Sequence, residues 1–290
     1  MTKIAFKAER KIRTPRKTAA TKALAADTAV VESTETDAEI VERLRERFEI
    51  LDTMTQMTID GVVKGMVVTG PPGVGKSYGV ETVLDQNSIF DKLAGNRLKF
   101  GVEKGAASAI GLYKLLYNYA DRGNVLVLDD CDSVLHDETS LNLLKAALDS
   151  GKKRRISWNT DSALLRREGI PDSFEFKGAV IFITNLRFDK ARGKIKDHLD
   201  AIMSRCHYLD LTMDTPREKI LRCRQIVADG MLAEYDFTKA QEAEIVDFIF
   251  NNQHRMREVS LRMVTKIADL RRSMSDKWER MAEVTCMLRR

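Results

Sequence analysis

Gly70-Pro71-Pro72-Gly73-Val74-Gly75-Lys76-Ser77 is the stretch that decides how this chain is read. It fits G-x-x-x-x-G-K-[ST] and directly follows Gly65-Met66-Val67-Val68-Thr69, a run with the character of a buried strand. Glycines let the backbone curl so that successive N–H groups point inward at phosphate oxygens. The helix that follows, expected to run through about Leu84, adds the positive end of its dipole. In such a loop Lys76 reaches the β- and γ-phosphates and the Ser77 hydroxyl is suited to ligate Mg2+. The eight loop residues and the adjoining Tyr78 are therefore the candidate nucleotide-binding set, with ATP and Mg2+ as the expected cofactors.

Outward from the loop, Val125-Leu126-Val127-Leu128-Asp129-Asp130 is a second buried-strand run, ending in two carboxylates. Strands that end side by side would bring Asp129 to the metal and Asp130 to the attacking water. The plain alternative makes these acids the cap of a helix starting near Ser133. Further strands are expected at Arg97 to Val102, Ala179 to Thr184 and His207 to Leu211, with helices at Ala109 to Ala120 and Ser140 to Leu148. Strands alternating with helices predict an α/β fold with a mainly parallel sheet. After Pro216 the strands stop, and helical stretches near 216–233, 239–252 and 257–288 predict a small all-helical unit. The stripe Met256, Val259, Met263, Ile267, Leu270, Met274 in the last of these reads as packing. The domain reading is an N-terminal arm over 1–38, a nucleotide-binding core over 39–212 and a helical lid over 213–290.

Composition narrows the function classes. Hydrophobic residues at 43% and charged residues at 31% are the balance of a folded, soluble protein. No apolar run approaches the roughly 20 residues of a spanning helix, and the basic N-terminus has no apolar segment of a secretory signal. Cys131, Cys206, Cys223 and Cys286 lie far apart, which excludes a disulfide scaffold and points to reduced thiols in the cytoplasm. Charge is unevenly spread: residues 1–22 hold eight Lys/Arg against one acid, and residues 23–60 hold ten acids against three Arg. A basic arm followed by an acidic segment is either a tail with its own interaction surface or a solvated, disordered leader. Within the acidic segment a helix is expected from about Asp37, with Ile40, Val41, Leu44, Phe48 and Leu51 at helical spacing.

With GPPGVGKS, LVLDDCD, IFITN, MSRC and MREV in this order, residues 50–275 resemble the AAA+ ATPase family. The resemblance implies that Asn185 is the sensor-1 residue, set between the γ-phosphate and the water. It implies that Arg205, in a Ser-Arg-Cys triplet like that of clamp-loader subunits, is the arginine finger acting on a neighbour's nucleotide, with Arg192 and Arg187 as competitors. It implies that Arg257 is the sensor-2 arginine, with Arg255 and Arg262 as neighbours able to serve instead. By the same resemblance the chain forms a homo-oligomeric ring, a hexamer by preference. One departure matters: the family's usual Glu is here Asp130, one methylene shorter, so the water must sit closer or hydrolysis is slow.

Two loops would face the pore of such a ring. Where protein-threading motors carry an aromatic at the tip, the first offers only Phe100, which also falls within the expected strand. The second holds Lys152-Lys153-Arg154-Arg155-Ile156-Ser157-Trp158 and later Phe174-Glu175-Phe176-Lys177-Gly178, which predicts a β-hairpin insertion. Its four cations and the N-terminal arm are candidate DNA contacts, against the alternative of a solvated basic loop with Trp158 packed inward. The expected function is an ATP hydrolase that remodels or loads a nucleic-acid-associated assembly, as in DNA replication. The alternatives are a protein-remodelling motor and a low-turnover ATP-dependent scaffold or switch. A GTPase is disfavoured because no N-K-x-D element is present. The compact module with a short lid also resembles small bacteriophage-encoded AAA+ proteins.

Overall fold

Residues 35–151 and 153–289 are described by the computed structural model. Helix α1 (Asp37–Ile59) starts on a capping box, in which the Thr36 hydroxyl accepts from Glu39 N and the Glu39 carboxylate accepts from Thr36 N. The chain then alternates β1 (Gly65–Thr69), α2 (Lys76–Leu93), β2 (Phe100–Lys104), α3 (Ala109–Asn118) and β3 (Val125–Asp129). It continues through α4 (Ser133–His136), α5 (Glu138–Leu148), β4 (Arg155–Ser157), α6 (Ala163–Arg167), β5 (Ser173–Glu175) and β6 (Ala179–Thr184). Helix α7 (Lys194–Met203) and β7 (His207–Asp210) complete the sheet region.

Five strands form one parallel sheet in the order β2-β3-β6-β1-β7. Its three inner strands are buried along their whole length, as strands covered on both faces must be. The period of two sorts the side chains. Met66, Val68, Val127 and Ile183 face α1 and α2 through Leu44, Phe48, Val80 and Leu84, whereas Val67, Leu126, Leu128 and Phe182 face Leu112, Leu116, Leu144 and Leu199. The register places Thr69 beside Thr184 and Asp129 beside Ile183, so the phosphate-loop sequence, the two carboxylates and Asn185 all leave the sheet at one end.

The rest is helical: α8 (Pro216–Ala228), α9 (Lys239–Asn251), α10 (Leu261–Ser273) and α11 (Trp278–Cys286), around a buried cluster that includes Val227, Ile245, Ile249, Val264, Ile267 and Trp278. The fold is thus a P-loop type of parallel α/β sheet with flanking helices and a helical C-terminal region. Residues 36–290 make one compact unit, and α8 binds α1 through Arg43–Glu218 at 2.9 Å and Arg217–Asp37 at 2.6 Å.

Several expectations need correction. Strand β2 starts three residues later than expected, because Phe100 pairs with Val125 at the sheet edge; of the two places open to Phe100, strand or loop tip, it takes the strand. The expected helix over 257–288 is two helices: Ser260 caps the first and Met274 ends it. The hairpin exists as antiparallel β4 and β5, but its basic run is not a free cationic face. Arg154 is buried, donates to Ala147 O at 2.7 Å and Gly178 O at 2.6 Å, and packs on the Phe176 ring. Trp158 is partly buried against Tyr113. Lys153 and Arg155 are exposed, and Lys152 and residues 1–34 lie outside the described residues.

Candidate nucleotide site

Helix α2 begins at Lys76, straight out of the loop, and the loop's three glycines make the turn feasible. Gly70, Gly73 and Gly75 have φ of 153°, 71° and 105°, a region that L side chains rarely adopt. At Gly73 space is a second constraint: a Cβ would come 2.8 Å from Ser260 Cβ, and Gly73 O accepts from Leu261 N at 2.8 Å. The loop is therefore locked to the start of α10.

Lys76 is buried, and its Nζ donates to Gly70 O at 2.8 Å, Pro71 O at 2.9 Å and Asn185 Oδ1 at 2.8 Å. Burial pulls its pKa down to about 8, against the opposing pull of Asp130 and Asp129. Asn185 is bonded on both sides: its Nδ2 donates to Asp130 Oδ1 at 2.8 Å. An ammonium, an amide and a carboxylate thus run in one chain at the end of β1, β6 and β3. Asp130 stands at φ 54°, held by its N–H on Ile183 O at 3.0 Å. The Ser77 hydroxyl donates to Asp129 Oδ1 at 3.0 Å. Burial raises the Asp129 pKa, partly offset by that hydroxyl. Lys104 bridges Glu81 at 2.6 Å and lies 3.8 Å from Asp129. Asp132, two residues after Asp130, accepts from Thr184 Oγ1 at 2.6 Å and braces the end of β6.

These groups open into a cleft of about 690 Å³ between the sheet end and the C-terminal helices. Gly73, Gly75, Lys76, Ser77, Tyr78, Asp130 and Asn185 line it, with Tyr78 77% exposed on its rim. From the helical region come Ile226, Met231, Leu261, Arg262 and Thr265. The residues fit a triphosphate: a buried ammonium, glycine-built backbone curvature and a half-apolar wall large enough for a base. Among the described residues no cluster of three or more His, Cys, Asp or Glu could hold a metal alone. Mg2+ would be shared by Ser77, Asp129 and phosphate oxygens, as suits an ion that keeps few protein ligands.

Two arginines expected from sequence are not in this cleft. Arg257 donates to Met287 O at 3.2 Å and lines a separate recess, while Arg262, in the first turn of α10, lines the cleft. The physical reason is the break before α10: Arg257 precedes the Ser260 cap and pairs with Cys286 and Met287. Arg205 is also outside its own chain's cleft, at the C-terminal end of α7, where Nη1 donates to Ala201 O and Nε lies 4.0 Å from Asp149. Arg187 is committed to Asp189 and Asp214, which hold its pKa up. Arg222 was not singled out by its sequence. It is 7% exposed, stacks 3.5 Å over the Phe48 ring, and a Cβ on Gly75 would lie 3.9 Å from its Nη2. Burial pulls it down to about 10. The available signal was an arginine inside the otherwise apolar Ile220-Leu221-Arg222-Cys223.

An Enterobacteria phage T4 protein, described as an uncharacterized 36.7 kDa protein in the nrdC-mobD intergenic region, is 34% identical to this chain over 244 residues, covering 83% of this chain and 73% of the phage protein. The chain belongs to the family of that T4 protein. No family model matches this member of the T4 protein's family. Among solved structures it is similar to a replication initiator DnaA bound to AMPPCP and single-stranded DNA, with TM-score 0.47 and 13% identity over 79% of this chain and 63% of that one. It is similar also to the Aeropyrum pernix ORC1 protein in complex with DNA, with TM-score 0.43 and 13% identity over 82% of this chain and 61% of that one. The chain spans less than two thirds of either.

Proposed function

We propose that this protein is an AAA+ ATP hydrolase that uses Mg2+, assembles into a homo-oligomeric ring, and remodels or loads a nucleic-acid-associated assembly. The observation that carries the reading is the Lys76–Asn185–Asp130 chain at the mouth of a glycine-built loop. In this reading Lys76 exchanges its carbonyl and amide partners for phosphate oxygens, and the amide of Asn185 is released to position water. Asp130 then accepts the water's proton. Mg2+, held by Ser77 and Asp129, would supply neutralising charge at the phosphates. Arg262 takes the sensor role from the lid, and Tyr78 flanks the base. Arg205, outside its own cleft, completes the cleft of a neighbour. The division into a core over 39–212 and a lid over 213–290 belongs to this proposal, the cleft lying between the two. A second reading, a slow ATP-dependent switch, draws on Asp130 being both short and tied to Asn185.

The test is ATP turnover measured with single-stranded DNA, duplex DNA and unfolded protein, beside the oligomeric mass with ATP. Stimulation by DNA is expected. Stimulation by unfolded protein alone would favour the motor reading, and a turnover indifferent to all three the switch. Absence of triphosphate binding would overturn the whole reading.

A further inference from the structure

Four arginines that the nucleotide chemistry leaves unused line one recess of the helical region. Residues 254–290 hold ten Lys/Arg against five Asp/Glu, an excess equal to the +5 of the whole chain. Backbone pairing gathers part of it. Met256 and Met287 form an antiparallel bridge, Arg257 N donates to Cys286 O at 3.0 Å, and Leu288 N donates to Arg255 O at 2.8 Å. Arg255 and Arg257 on one strand, Arg289 on the other and Arg280 from α11 thereby line one recess of about 290 Å³. Its apolar part is Val284, Met287 and Leu288, of which Val284 is 64% and Leu288 58% exposed. The acid among the lining residues is Glu283, paired with Arg280 at 2.6 Å. Arg255 Nε itself is buried and has no hydrogen-bond partner among the described residues, so what the recess presents to a ligand is the remaining guanidinium surface.

We propose that this recess binds backbone phosphates of a nucleic-acid strand, with sugar or base faces packed on Val284 and Leu288. The choice of partner rests on the proposed function above; the choice of site does not. Like charges held together repel, and an anion of high charge density relieves that repulsion. All four cations are arginines, whose planar forks match phosphate oxygens two at a time and stack on bases. A recess of this size admits one or two phosphodiester groups, which carry one charge each at close spacing. An acidic peptide would have to order several flexible carboxylate side chains to deliver the same charge.

The experiment uses the full chain and fluorescently labelled oligonucleotides of about 20 residues, single-stranded and duplex, with affinity read by anisotropy between about 50 and 200 mM salt. The variant is Arg280→Gln with Arg289→Gln, two positions whose side chains make no bond to the backbone among the described residues, and its thermal melt verifies the fold. Affinity is expected to fall about tenfold or more, and the slope of log K against log salt to become shallower by about one to two, the value for two lost phosphate contacts. Lysine at both positions should restore the slope and only part of the affinity, since charge returns without the fork. A variant that binds with the parent's affinity and slope overturns the site and leaves the nucleic-acid reading standing. A parent that binds neither oligonucleotide overturns both. Displacement of the oligonucleotide by polyglutamate at equal charge concentration would assign the recess to acidic chains and refute the proposal.

Discussion

Asp130 shows how much one residue's backbone contributes. It leaves the buried strand β3 in the left-handed region, which Asp tolerates better than branched residues do. That turn aims its carboxylate across to the Asn185 amide at 2.8 Å. Asp130→Asn removes the proton acceptor but keeps the shape, so it should bind ATP near normally and lose turnover by about 10²-fold or more. Equilibrium binding and steady-state hydrolysis on one preparation separate the two effects. Undiminished hydrolysis would move the base to another carboxylate, such as Asp132. At this scale the sequence was informative where a motif prescribes backbone geometry, as in Gly70 to Ser77, since glycine at those positions answers to positive φ. It was uninformative for Arg154 and Arg155, adjacent and chemically identical, of which one caps carbonyls inside the fold and the other meets solvent. Only the pairing of β4 with β5 decides which way each points.

Among the elements, α10 has the strongest claim on the cleft. It starts on the Ser260 cap, holds the phosphate loop through Leu261 N on Gly73 O, and sends Arg262 into the cleft from its first turn. Arg262→Ala should therefore weaken triphosphate binding by about tenfold, the order of one charge-assisted contact, and more than Arg257→Ala does. Titration of ATP against both variants reads this directly, and the reverse ranking would return the sensor role to Arg257. The inner strands β1, β3 and β6 were legible because continuous β-branched runs suit strands buried on both faces. The edge strand β2 was legible in its existence but not in its bounds, because Phe100 and Val102 are only partly buried and its position is fixed by pairing with β3 alone. The break between α10 and α11 was also hidden. Apolar spacing continues through Leu270 and Met274, yet Met274 is 52% exposed and Trp278 turns in to meet Phe248 and Arg271.

For the whole molecule, two predictions separate what holds one chain together from what several chains do together. Burial pushes the Cys223 and Cys206 thiols each up to about 12. The unfolded chain therefore releases these protons near pH 9 while the native chain keeps them, so fewer protons are bound unfolded. Stability must then fall as pH rises above about 9, each thiol contributing at most about 1.4 kcal/mol per pH unit. A melting temperature that does not drop between about pH 9 and 11 would show that these thiols are not desolvated as the structure has them. The second prediction concerns assembly. If Arg205 acts across an interface, no single chain holds a complete site, because this arginine lies outside its own cleft. A guanidinium on developing γ-phosphate charge is worth roughly 10³ to 10⁵ in rate. Specific activity should accordingly rise with protein concentration, and Arg205→Ala should bind ATP yet hardly turn it over. Lys76→Ala should fail for the opposite reason, having the arginine but no loop cation. Mixed, the two inactive variants place intact loops against intact arginines at a share of their interfaces, and part of the activity should return. Recovery should peak at intermediate ratios and require co-assembly, which mass measurement of the mixture verifies. Co-assembled mixtures with no recovery at any ratio would confine Arg205 to its own chain, where its bond to Ala201 O leaves it a structural cap on α7.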